Sequence, residues 1–504
     1  MAPYGGEPRM TGGAFGLGPY VDGQYVEGHG TPLSLVNPST GRAFVDVSTP
    51  DEAGMNAAVT AAREAFDDER WREIPVLERQ RILMRAAALV RSRDRELSAL
   101  IAEDMGMPQS AARYVEVPFA AAVFDYYAGL IAHTGGETLP VDIPGTPPQF
   151  LAYTERVPVG VAALITPFNF PLLIPTWKIA PALASGSTMV VKPAPEAPRV
   201  TLVLAEILEE AGVPAGVVNV LPGGDAVGAG LARHPDVDKV SFTGSTAAGR
   251  LVAAAAGQDL KRVSLELGGK SAAIVFEDAD LDRAVSQTLF GLLFNSGQVC
   301  QATSRILVAA PVFDAFLERY VERARALRVG AASDPLTDLG PVVRAEALVR
   351  AEDLIADAAA GGAQVALGGR RLADNGEDGF YFAPTVLTHL SPTAHILREE
   401  VFGPVACLVP FRTEVEAVTL ANDTAYGLAA AVFTRDVTRA HRTARRLRAG
   451  TVWINTAQVL SPTLPFGGFK ASGVGRELGR AGLESFMEWK TVLAPVAESA
   501  PAGP

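Results

Sequence analysis

Cysteine is nearly absent from this chain: Cys300 and Cys407 are two among 504 residues. At most one disulfide could form, and a chain this long buries enough apolar surface to need none. A reducing, cytoplasmic setting is the expectation. Histidine is scarce too. The six histidines are scattered, with no HExxH and no cysteine pair at ligand spacing, so no metal site is expected. An excess of positive charge is also missing. Lys and Arg total 44 against 56 Asp and Glu, a net charge of −12, which argues against a nucleic-acid or anionic-membrane partner. No GxGxxG follows any predicted strand, so the ordinary dinucleotide fingerprint is absent. Two stretches imitate a phosphate loop and fail. "GSTAAGR" (Gly244 to Arg250) has Arg250 where the loop needs Lys, and "GGKS" has Ser264 where its first glycine belongs.

Long apolar runs are interrupted. Val157 to Trp177 carries no charge for 21 residues, long enough to span a bilayer. Pro158, Pro167, Pro171 and Pro175 break it, and Asn169 sits in the middle. Prolines remove helix hydrogen bonds that lipid cannot replace, so a strand, a turn and a buried helix are expected. The first residues, "MAPYGGEPRMTGGAFGLGPY", lack the apolar centre of a signal peptide and read as a loose tail, as does "PVAESAPAGP" at the other end.

What is present is alternation. Residues 20–48 read as short strands, and 51–134 carry apolar residues at helical spacing. Leu139 to Gln149 is a proline-rich break. From residue 187, β-branched strands alternate with helices, which implies a parallel sheet covered on both faces. The strand ends read "KPAP", "LPGG", "FTGS" and "ELGG", rich in Gly and Pro, where such sheets bind ligands. A second α/β series starts at "SAAIVFEDAD", giving two domains with a boundary near Gly269.

Cys300 lies in "FNSGQVCQATSR", at the end of a helix-like segment, among mixed neighbours. A lone cysteine is either a small core residue or a nucleophile in need of a base. Cys407, in "GPVACLVPF", reads as core. The nearest histidines, His234 and His389, sit in no catalytic setting. Glu266 interrupts an apolar strand end, where a carboxylate is costly without a task or a partner. A salt bridge to Lys270 or Lys261 is the other reading.

"SLELGGKS", followed 34 residues after its glutamate by the cysteine of "GQVCQATSR", resembles the aldehyde dehydrogenase superfamily. So do "TPFNFPLLIPTWKIAPALASG", "VVKPAP", "SFTGS", "EEVFGPV", "AYGLAAAVFT", "WINT" and "PFGGFKASGVGRELG", in the family's order, over about residues 20 to 495. The resemblance implies an α/β fold with two Rossmann-like parallel-sheet domains and a small oligomerisation β-segment. Residues 20–142 and 161–269 would bind the cofactor, and 270–485 would form the catalytic domain. Residues 143–160 and 486–504 would serve assembly into a homodimer or homotetramer and end in a tail, and 1–19 would be a flexible tail. It implies Cys300 as the nucleophile that forms a thiohemiacetal and then a thioester. Asn169 and the Cys300 N–H would stabilise the oxyanion, Glu266 would be the hydrolytic base, and Lys178 and Glu477 would be either a proton relay or a structural ion pair. The cofactor would lie along Thr166, Pro167, Lys192, Pro222, Gly223, Gly244, Ser245, Leu267, Glu400 and Phe402. Many NAD-preferring members carry Glu three residues after the cofactor lysine. Here Pro195 holds that position and Glu196 follows, so NAD is expected while NADP stays possible.

By the same resemblance the substrate tunnel is framed by Phe170, Leu173, Ile174, Trp177, Val299, Gln301, Leu460 and Phe466. None is charged, which points to an aliphatic or aromatic aldehyde. Two rival chemistries use the same cysteine: acyl transfer to CoA, and thiol ester hydrolysis without nicotinamide.

Overall fold

The structure, a computed structural model, describes residues 17–144, 150–372 and 378–496. Residues 1–16, 145–149 and 497–504 lie outside the described residues; the expected tail at 1–19 runs too far, since Gly18 and Pro19 are buried and the Leu17 and Pro19 carbonyls accept the Ser48 and Val26 N–H groups. Two open sheets carry the chain. In the first, strands lie in the order Gly473–Val474, Arg262–Glu266, Lys239–Thr243, Val161–Ile165, Thr188–Lys192, Val218–Val220, Tyr20–Val21 and Gln24–Tyr25. Its five central strands are parallel, and only the two ends run antiparallel. In the second, the order is Gln364–Leu367, Thr385–Thr388, Val405–Phe411, Arg305–Ala309, Ala272–Val275, Ala429–Phe433 and Thr451–Ile454. Phe150–Pro158 pairs along its whole length with Met487–Pro495, and a short Thr138–Leu139 strand completes a separate three-stranded sheet.

The central strands are buried end to end, as parallel strands sandwiched between helix layers must be. The uncharged run resolves as expected into a strand end, Val161–Ile165, a turn at 166–172, and helix Leu173–Ser185. That helix is largely apolar, and all thirteen of its residues are buried, Lys178 among them. Its first turn has no side-chain cap of its own. The buried Glu116 supplies one instead: its Oε1 accepts the N–H groups of Leu172 (2.9 Å) and Leu173 (3.1 Å). Gly186, at φ 96°, ends the helix in the left-handed conformation.

The chain crosses between sheets once more than the boundary at Gly269 implies. Gly473–Val474 pairs with Arg262–Glu266, and Phe466, Leu478, Leu483 and Phe486 join the core beside the first sheet. The end of the 270–485 unit therefore lies against the cofactor half. A two-residue strand has no periodicity to read, so this return leaves no pattern in the sequence.

Candidate active site

Cys300 lies on the turn after helix Leu281–Leu293, its carbonyl packed against Gly269, where the chain passes from the first sheet to the second. Helix Leu281–Leu293 stops because Asn295 (φ 50°), Ser296 (φ 54°) and Gly297 (φ 77°) turn left-handed. The helix-like segment expected to lead up to Cys300 thus ends at Leu293, seven residues before it. Left-handed non-glycine residues in succession are costly and persist only when their surroundings hold them. Here Asn295 Nδ2 donates to Asn169 O (2.9 Å), and Ser296 Oγ donates to Gly340 O (2.6 Å). Gln298 Oε1 accepts the Val343 N–H (2.9 Å). Gly297 and Gly269 are required by close approach: a side chain on the first would strike the Gly403 carbonyl, and one on the second the Cys300 carbonyl.

Asn169 is tied to this turn from both ends. Its Nδ2 donates to Gln298 O (2.8 Å), while its own carbonyl accepts from Asn295. The amide is 2 % exposed and held beside the cysteine turn before any substrate arrives. Cys300 keeps part of its surface accessible. Burial and the nearby Glu400 and Glu266 carboxylates push its thiol up, opposed by the N–H groups of Gln301 and Cys300 itself. Cys407 is a free, fully buried core residue, as expected.

Glu266 ends its strand at 4 % exposure, and neither carboxylate oxygen has a hydrogen-bond partner among the described residues. Burial first, then the Glu477 charge, raises its pKa well above the usual carboxylate range, against Lys178 and Arg476. The salt-bridge reading does not hold. Lys261 bonds the His234 carbonyl and Asp259, and Lys270 Nζ has no hydrogen-bond partner among the described residues. Gly467 leaves the carboxylate room, since a Cβ there would come within 2.7 Å of Oε1. Lys178 and Glu477 form a buried ion pair, and Ser241 Oγ accepts from Lys178 (2.9 Å) and donates to Glu477 (3.2 Å).

Around Cys300, Leu173, Trp177 and Phe466 form one apolar cluster, against which Phe170, Leu460 and Cys300 pack. Val299 belongs to the neighbouring cluster, which Phe170 also touches. Ile174 is buried on the same helix, and Gln301 Nε2 donates to Gln458 Oε1 (2.5 Å). Sequence reasoning missed two rings of this wall. Phe294 stacks on Phe170 (6.2 Å between centroids), and Phe119 meets Trp177 edge-on (6.1 Å). Phe294 stands at the start of the very stretch that carries Cys300. Phe119 lies in a helical run whose apolar residues look alike until one is seen to face the site.

Most cofactor candidates lie after strands of the first sheet, while Glu400 and Phe402 come from the loop before Val405–Phe411 of the second. Lys192 is 5 % exposed, and the carboxylates of Glu196 and Asp225 support its charge against burial. Glu196 also pairs with Arg344 (3.0 Å). Ser245 caps helix Thr246–Gln258 through Ala248 N–H (3.2 Å). Gly244 packs against the Phe242 ring, where no side chain would fit, and its N–H bonds Glu266 O (3.0 Å). Leu267 is buried under that helix, and its N–H bonds Ser472 O (2.9 Å). Pro222 and Gly223 form a buried turn after Val218–Val220, and Pro195 is half-buried. Thr166 hands its N–H to Lys192 O (3.0 Å), Pro167 follows it, and the Thr166 and Thr243 hydroxyls have no protein partner among the described residues. Glu400 accepts the Gly269 N–H (3.1 Å), and burial lifts its pKa to about 7. Phe402, left-handed at φ 57°, meets Phe168 edge-on at 5.8 Å.

Fold and site define a class: a two-sheet α/β protein in which a cysteine, two carboxylates and a fixed amide come together. Comparison with known proteins makes this particular. The profile described as "Aldehyde dehydrogenase family" matches residues 25–492. An aldehyde dehydrogenase of Enchytraeus buchholzi is 42% identical over 94% of each chain. Human retinal dehydrogenase 2 is 43% identical over 93% of this chain and 89% of its own length. The NAD+ complex of an aldehyde dehydrogenase from Bacillus cereus superposes with a TM-score of 0.92 at 37% identity, covering 95% of this chain and 97% of that one. The chain belongs to the aldehyde dehydrogenase family.

Proposed function

We propose that the protein oxidises an apolar aliphatic or aromatic aldehyde to its carboxylic acid with NAD and water, through a thioester on Cys300. The observation that carries the hydrolytic half is Glu266: a buried carboxylate, without a hydrogen-bond partner among the described residues and raised in pKa, facing the cysteine turn. A base of this kind works best when its pKa approaches the operating pH. Cys300 attacks the carbonyl carbon, and the charge that develops on oxygen falls between the Asn169 amide and the Cys300 N–H. Preorganised donors of this type contribute roughly 3–4 kcal/mol each to the transition state. Glu266 then takes a proton from the water that cleaves the thioester. The unpartnered Thr166 and Thr243 hydroxyls, the helix start at Ser245 and the Lys192 ammonium fit a dinucleotide. When bound, that group accepts the hydride. Glu196 and Asp225 both act on Lys192, and two carboxylates there repel a 2′-phosphate, which supports NAD despite Pro195.

A panel of aldehydes assayed with both cofactors tests this reading. Benzaldehyde and medium-chain aldehydes should exceed succinic semialdehyde in kcat/KM, because the wall of Phe119, Phe170, Trp177, Phe294 and Phe466 presents no charge to a distal carboxylate. NAD should exceed NADP. Equal turnover of the semialdehyde, or a tenfold preference for NADP, overturns the respective half.

The sheet of Phe150–Pro158 and Met487–Pro495 is separate from the two large sheets and exposes Phe150, Leu151, Trp489 and Leu493. Exposed apolar surface of this kind marks an interface. We place the contact of a homodimer or homotetramer there, and light scattering at micromolar concentration should give at least twice the 52.8 kDa chain mass.

A further inference from the structure

Lys239 carries a charge for which the reaction above has no use. It begins the Lys239–Thr243 strand, lies between Val161–Ile165 and Arg262–Glu266, and is 2 % exposed. Strand alternation sends Val240 and Phe242 into the apolar core on one face. Lys239 and Ser241 take the other. Ser241 is the hydroxyl that joins Lys178 to Glu477. The Lys239 ammonium stands 4.8 Å over the Phe486 ring. Four charged groups act on it: Lys178 of helix Leu173–Ser185, Glu477 before the Gly479–Glu484 helix, Arg262 of the adjacent strand, and Glu488 of the Met487–Pro495 strand.

These groups form a series from the cleft to the surface. Glu266 feels Glu477 and Lys178. Glu477 Oε2, the oxygen that Lys178 does not hold, has no protein partner among the described residues. Lys239 follows. Beyond it Arg262 and Glu488 pair at the surface, their side chains 60% and 39% exposed. Burial brings the Lys239 pKa down to about 7, within reach of both protonation states at working pH.

Resting on the hydrolytic role of Glu266, we propose that Lys239 carries the proton released in thioester hydrolysis from the Lys178–Glu477 pair out to solvent beside Glu488. Water forms the new C–O bond as the C–S bond breaks, and the sulfur leaves as thiolate. One water proton goes to Glu266, then to Glu477, then to the neutral amine of Lys239, whose ammonium gives it to bulk water. No hydrogen bond joins Lys239 to Glu477 among the described residues, so the hand-over takes a rotation of the flexible four-carbon arm. Lys239 touches neither substrate nor cofactor. It is a positioning residue that acts through the buried pair.

The test compares the full-length wild type with Lys239→Met and Lys239→Arg, using NAD and benzaldehyde. First-turnover NADH formation, read by stopped flow, should be unchanged in both variants. Steady-state turnover should fall about tenfold, short of the roughly 100-fold typical when the lost group meets the substrate directly. The rise of turnover with pH near 7 should change in both, and added methylamine should restore Lys239→Met. Arginine keeps the charge but cannot release its proton, so a fully active Lys239→Arg means that the lysine only balances charge and overturns the proposal. Unchanged turnover in Lys239→Met, or an equal loss in the first turnover, also overturns it. If the lysine variants do not fold, Glu488→Gln on the exposed strand decides: the pH limb should move to lower pH, and an unmoved limb refutes the relay. A wild type that makes no NADH from any aldehyde sinks the hydrolytic reading and the relay together.

Discussion

Replacing Cys300 with alanine should lower aldehyde oxidation by on the order of 10⁴-fold or more, with no loss of folded structure. The size follows from the absence of a substitute. Cys407 is the other sulfur in the chain, and it is fully buried in strand Val405–Phe411, in register with Arg305. No other residue of the cleft can form a thioester. Folding should survive because the cysteine turn is held by its neighbours. Asn295, Ser296 and Gln298 make the bonds that fix the left-handed backbone, and none of them uses the sulfur. The thermal melt of Cys300→Ala should therefore match the wild type, and Cys407→Ala should keep full turnover. Retained oxidation in Cys300→Ala would remove the nucleophile from the scheme and leave the cleft without a covalent step. Burial and two carboxylates push the thiol up, so the resting residue favours its protonated form.

How much of this was legible beforehand depended on the kind of signal. Strands such as Thr188–Lys192 and Lys239–Thr243 are β-branched runs closed by Gly or Pro, and a parallel sheet leaves that pattern in any sequence. Cys300 and Glu266 drew attention locally, a sulfur after a glycine and a carboxylate ending an apolar strand, but their roles and that of Asn169 came from the resemblance of the motifs around them to a known family. Phe119 and Lys239 drew none. One is an aromatic among aromatics on a buried helix, and the other opens a strand where a lysine normally reaches solvent. The Phe486 ring covers that lysine from a distant part of the chain, a contact that leaves no mark in the local sequence.

Glu266→Gln separates the two halves of the reaction. The variant keeps the shape of the side chain and loses the base. It should release about one equivalent of NADH per active site and then stall, with turnover reduced roughly 10²- to 10⁴-fold, the range for losing a general base that meets its water directly. Quenched protein should carry the acyl group on Cys300, visible by intact mass. Stability should move the other way. The folded pKa of Glu266 is raised above its unfolded value. Between the two the folded state binds more protons, so the carboxylate makes stability fall as pH climbs through that window, and the full penalty remains above it. Glutamine carries no charge to desolvate. Glu266→Gln should therefore melt above the wild type at pH 8, with the gap closing towards pH 5. A variant that loses activity and melts lower at pH 8 would mean that Glu266 is held by a partner, and its empty surroundings would no longer mark it as the base. Loss of the first NADH equivalent as well would place Glu266 in the attack of Cys300 rather than in hydrolysis. The carboxylate makes the former outcome the harder one to reconcile, because a structural glutamate buried this deeply needs a bond that Glu266 does not make among the described residues.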